Sequence, residues 1–105
     1  MAKTAFAKKA EAILVLDMRK VVNFCDFFVI ASGTSDRHVK TIAETIEEAL
    51  NQKGLKPLHI EGKREAVWVL VDSGNIVTHI FQKETRGYYN LERLWQDAPK
   101  ISWRK

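Results

Sequence analysis

Apolar positions along the chain follow two different periods. "ILVLDM" (13–18) and "DFFVIAS" (26–32) are short, bulky runs with polar ends, the pattern of buried strands. After residue 36 the period changes. Val39, Ile42, Ala43, Ile46, Ala49 and Leu50 recur at helical spacing and make one apolar stripe. Thr34 or Ser35 can cap that helix, and Asp36 sits in its first turn, where the helix dipole favours negative charge. Gly54 follows the last turn, where a positive φ is often required. "AFAKKAEA" (5–12) reads as a short helical lead-in and "PLHIEG" (57–62) as another strand.

"AVWVLVDSGNIVTHIF" (66–81) predicts a hairpin turning at Ser73-Gly74. Pairing Asp72 with Asn75 sets Leu70 against Val77, Trp68 against His79 and Ala66 against Phe81. Because strand side chains alternate, one face then carries Val67, Val69, Val71, Ile76, Thr78 and Ile80. The other carries Trp68, Leu70, Asp72, Val77, His79 and Phe81. The aliphatic face asks for a helix layer over it. The aromatic and polar face is odd for a core and suits a contact surface. A last helix, "GYYNLERLW" (87–95), places Tyr88, Leu91 and Trp95 along one side. The whole reads as α/β, a mixed β-sheet packed with helices, in a single domain spanning 1–105.

Composition narrows the class of protein. With 46% hydrophobic and 29% charged residues the chain can bury a core, and disorder is not expected. The lone cysteine, Cys25, can form no internal disulfide, which favours a reducing compartment. No apolar run approaches the roughly 20 residues that span a bilayer. The first residues hold lysines but no apolar signal core, so a cytoplasmic protein with no membrane partner is expected. The net charge of +4 is scattered rather than gathered on one element, which suits a solvated surface better than a dedicated nucleic-acid face.

"FCDFFVIASGTSDRH" (24–38) holds the densest set of reactive side chains. Cys25 and His38 fall at opposite ends of one strand, some 20 Å apart at about 3.3 Å per residue, too far for a nucleophile and its base. Ser32, Asp36 and His38 crowd into one turn, and nothing orients them as a triad. Strand, "SGTS", then helix is an arrangement that can cradle phosphate, as in nucleotidyltransferases. Those enzymes hold magnesium with paired aspartates on a later strand, whereas "VLVDSG" here offers Asp72 alone. Helix capping is the stronger reading. His38, His59 and His79 fall on three elements without ligand spacing, so no metal and no cofactor are expected.

Three blocks, "DFFVIASGTSDRHVKTIAETIEEAL", "IEGKREAVWVLVDSGNIVTHIF" and "RGYYNLERLW", together resemble the ribosomal silencing factor family, also called Iojap-like. The resemblance runs from about Ala10 to Ala98. It implies a nucleotidyltransferase-like topology without the catalytic carboxylates, and a translation regulator that is not an enzyme. It further implies binding to protein L-fourteen of the large ribosomal subunit, on the face where the small subunit docks, so that subunit joining is blocked when nutrients run short. Incidental contact with ribosomal RNA, and a homodimer through the same sheet region, are also consistent with the family. Trp68, Asp72, Gly74, His79 and Phe81 match its hairpin pattern, and Tyr89, Asn90, Leu91, Glu92 and Trp95 its final block. Ser73 and Asn75 depart from it, standing where tyrosine and aspartate are usual. The expected partner-binding residues are Trp68, Asp72, His79, Phe81, Tyr88, Tyr89, Leu91 and Trp95, with no catalytic residue. The rival functions are a nucleotide-binding enzyme of nucleotidyltransferase type and an RNA-binding module.

Overall fold

The apolar runs assemble into six strands in a computed structural model that describes residues 2–103. In chain order the strands are β1 (Glu11–Asp17), β2 (Phe27–Gly33), β3 (His59–Glu61), β4 (Trp68–Asp72), β5 (Ile76–Gln82) and β6 (Lys100–Ile101). The helices are α1 (Ala2–Ala7), α2 (Asp36–Gln52), α3 (Lys83–Tyr89) and α4 (Leu91–Leu94). The sheet order is β3-β4-β5-β2-β1-β6. Only β2 and β5, at its centre, run parallel; their neighbours pair antiparallel. This is the mixed α/β sheet that the sequence predicts. Strand β6, too short to leave a pattern, is an addition.

The stretch 24–38 hands a strand to a helix, as expected. Ser35 is the N-cap, in extended backbone, and its hydroxyl accepts from the His38 N–H at 3.1 Å. Helix α2 lays Val39, Ile42, Ala43, Ile46 and Leu50 on the aliphatic face of the sheet, against Ala31, Val69, Val71 and Ile80. The opposite face holds a second cluster built from Leu16, Met18, Cys25, Phe28, Ile30, Val77, Phe81, Leu91 and Ala98.

The hairpin register differs from the expected one by two residues. Trp68 pairs with Phe81, Leu70 with His79 and Asp72 with Val77. The extra length goes into the turn, where Asp72 Oδ1 accepts from the Gly74 N–H at 2.9 Å. The Ser73 N–H and hydroxyl both donate to the Ile76 carbonyl. A slip of two keeps every side chain on its own face, so the division into aliphatic and aromatic sets survives. Ala66 does not oppose Phe81. It lies before β4 with φ 55° and joins the aliphatic cluster instead. Gly62, with φ 79°, makes the turn into β4 possible, since a Cβ there would lie 2.0 Å from the Trp68 carbonyl oxygen.

The last helix is two helices. Asn90 adopts left-handed backbone (φ 48°, ψ 57°) and breaks the run between α3 and α4. Tyr88 therefore leaves the line shared by Leu91 and Trp95 and points outward, 83% exposed.

Candidate partner-binding groove

The aromatic face of β4 and β5 is only partly covered by α4 and the chain around it. What remains is a groove of about 360 Å³. Trp68, Leu70, Val77 and His79 form its sheet side, Leu91, Leu94 and Trp95 its helical side, and Phe24 and Phe28 one end, with Asp72 as its only acidic member. The rings stack along it. Trp68 lies 5.0 Å from Phe81 and 4.8 Å from Tyr89, Phe28 lies 4.7 Å from His79, and Trp95 meets Phe28 edge-on at 5.9 Å. Tyr88 packs edge-on against Tyr89 and carries the aromatic surface beyond the groove.

The eight expected binding residues divide by depth. Phe81 is fully buried and lies behind the lining rather than in it, while His79 and Leu91 are buried residues of the sheet side and the helical side. Trp68, Asp72 and Trp95 are half-buried along the walls, and Tyr88 and Tyr89 are exposed. The expected set omitted Phe24 and Leu94, both exposed on the rim, and also Phe28, Leu70 and Val77, the last two already placed on the aromatic face by the strand alternation. Leu94 could have been found from its three-residue spacing to Leu91. Phe24 sits in the irregular link between β1 and β2 and leaves no periodic signal.

Two polar arrangements set the geometry. Trp68 Nε1 donates to His79 Nδ1 at 3.2 Å, and burial pulls the imidazole's pKa from 6.5 down to about 4, so the ring is neutral near pH 7. Arg86, on α3, donates through Nε to Glu92 Oε1 at 3.1 Å and through Nη1 to Ser32 Oγ at 2.9 Å. The same Nη1 reaches the carbonyl of Ala12, whose φ of 48° and adjacent bulge in β1 turn that oxygen towards it. This clamp fixes the α3–α4 corner against the sheet and so holds the helical wall of the groove.

The opening stretch is closed on itself. The Thr34 N–H donates to His38 Nδ1 at 2.9 Å, and those of Arg37, His38 and Val39 go to Asp36 Oδ1, Ser35 Oγ and the Ser35 carbonyl. Because Nδ1 accepts, His38 Nε2 carries the proton and donates to the Lys8 carbonyl at 2.8 Å, pinning the lead-in helix. Cys25 is buried on the other side of β2, where burial chiefly, then the Asp26 and Asp72 carboxylates, raise its pKa. The carboxyl of Asp72 is engaged in the hairpin turn. His38, His59 and His79 lie on α2, β3 and β5, and among the described residues no three His, Cys, Asp or Glu side chains gather. Nor, among these residues, is any helix long and apolar enough to cross a membrane.

The fold and groove define an α/β protein whose distinctive surface is a row of rings on one face of its sheet. The family model described as "Ribosomal silencing factor during starvation" matches residues 1–105, and the chain belongs to that family. It is 48% identical over 92 residues to the ribosomal silencing factor of Bacillus subtilis, covering 88% of this chain and 78% of that one. A solved structure from Bacillus halodurans superimposes with a TM-score of 0.85 at 37% identity, covering 95% of this chain and 90% of the other. A more distant mouse relative, "Mitochondrial assembly of ribosomal large subunit protein 1", is 34% identical over 91 residues, 84% of this chain and 40% of its own length.

Proposed function

We propose that this chain represses translation by binding protein L-fourteen of the large ribosomal subunit through the Trp68 groove, thereby excluding the small subunit when nutrients are short. The observation that carries this reading is the exposed apolar rim: Phe24, Tyr89 and Leu94 stand in solvent around the half-buried Trp68. Rigid rings framed by a few polar groups bury contact area with little loss of side-chain entropy, the composition that binding hot spots favour. Family membership supports a ribosomal setting, and the mouse relative's name points to the large subunit. Steric exclusion requires no turnover. A role without catalysis is supported by the turn at 34–38, where the Thr34, Arg37 and His38 N–H groups are engaged internally, and by Asp72, which has no carboxylate partner on its strand.

Sedimentation tests this directly. Purified large subunits are incubated with the protein, small subunits are added, and the joined particle is measured. Joining should fall as the protein saturates and recover with Trp68→Ala. Undiminished joining at saturation would remove the reading. A shallow dependence of binding on salt is expected for a contact between proteins, and a steep one would point to ribosomal RNA as the main partner.

A further inference from the structure

His79, whose ring lines the groove, carries a buried polar atom that the described residues leave unpaired. His79 is 5% exposed, and its Nε2 has no hydrogen-bond partner among the described residues. The other ring nitrogen decides what Nε2 is. An indole N–H can only donate, so His79 Nδ1, 3.2 Å from Trp68 Nε1, is an acceptor and bears no proton. A neutral imidazole has one proton, which must then sit on Nε2. That nitrogen is a donor without an acceptor, in a groove lined, apart from Asp72, by rings and aliphatic side chains. Folded proteins rarely leave a buried donor unmatched, because the unpaired group loses its water and gains nothing.

We propose that the groove receives an apolar side chain of a partner polypeptide together with a neutral carbonyl oxygen beside it, which reaches the covered His79 Nε2 as the groove side chains shift on binding and accepts from it. This rests on the reading of the groove as the docking surface. The lining chooses the occupant. Rings and aliphatic walls call for an apolar anchor, and the volume lies at the small end of the range for ligand sites, about 300–1,000 Å³. Asp72 is the charged group of the lining, and no Lys or Arg is present, so a carboxylate or phosphate would be repelled where a carbonyl is not. The same electrostatics disfavour a nucleic-acid backbone and favour a segment of protein.

Binding to purified large subunits, followed by co-sedimentation, separates the two layers of the argument. Leu94→Asp changes the exposed rim and should abolish binding. His79→Phe keeps a ring but removes the donor, and should weaken binding about tenfold, the size of one lost buried hydrogen bond. His79→Gln can both accept from Trp68 and donate outward, and should stay within about threefold of the parent. In a Trp68→Phe background, where the internal bond is already gone, His79→Phe should still cost a similar factor. A marked gain in binding with Asp72→Asn would mean that the occupant is anionic and would overturn the carbonyl assignment. If Leu94→Asp fails while His79→Phe binds like the parent, the carbonyl inference is wrong and the groove reading survives. Should Leu94→Asp also bind normally, both go. A dimer in sedimentation equilibrium that Leu94→Asp dissolves, without effect on subunit binding, would give the groove to a second copy of this chain. If the His79 variants do not fold, the tautomer decides: ¹⁵N spectra of the parent must show the proton on Nε2, and a proton on Nδ1 ends the proposal.

Discussion

The two faces of the sheet are made by alternate residues of the same strands, yet they end in different states. On one, α2 covers Val69, Val71 and Ile80 completely. On the other, the broken α3–α4 corner covers Phe81 and leaves Trp68 half in solvent beside an open groove. The difference lies in the covering elements. A 17-residue helix with a continuous apolar stripe seals what lies beneath it, whereas two short helices kinked at Asn90 do not reach across. On the proposed reading, stability and recognition fall to opposite sides of one sheet.

This division can be broken or sharpened in order of effect. Ile46→Ala empties a fully buried site under α2 and should cost about 2–5 kcal/mol in denaturant unfolding. The protein that remains folded should bind subunits as the parent does, and a comparable loss of affinity would show that the faces are coupled. Acid should reveal the aromatic side. The His79 pKa is depressed on folding, so the unfolded chain takes up the extra proton between pH 6.5 and about 4. Stability should therefore fall across that window, by about 3 kcal/mol in total, as pH is lowered. His79→Phe should flatten this slope. The contribution of Asp17, whose pKa is held at about 2 chiefly by the hydrogen bond from Arg19, is lost only below its ordinary 3.8 and does not mask the effect.

Smaller effects refine the picture. Ser35→Ala removes the cap of α2 and should cost about 1 kcal/mol by thermal or chemical unfolding, with binding untouched. Leu94→Ser, on the exposed rim, should alter stability by no more than about 0.5 kcal/mol while reducing affinity for large subunits. A stability loss well above that figure would place Leu94 in the core of the second face.

Much of this arrangement was legible in the sequence because strand and helix periods are robust. The division of 66–81 into an aliphatic and an aromatic set depends on parity alone, so it held even though the pairing moved by two residues. The register itself was not legible. Turns of different even lengths preserve the alternation, and the bonds from Asp72 and Ser73 that choose between them are side-chain contacts. The break at Asn90 was missed because Tyr88, Leu91 and Trp95 remain compatible with one continuous helix by spacing. Depth was the harder question. Aromatic character marked His79 and Phe81 as surface candidates, but both are buried, Phe81 in one cluster with Leu91. The Arg86 clamp joins residues far apart in sequence, Ala12, Ser32 and Glu92, and no local pattern announces it.

The parallel pairing of β2 with β5 has a kinetic consequence. These strands form the middle of the sheet, yet α2, β3 and β4 all intervene between them along the chain. During synthesis β2 must wait until that whole stretch has emerged, and contacts so distant in sequence form slowly. A nascent copy therefore holds β2 without its central partner until β5 has emerged.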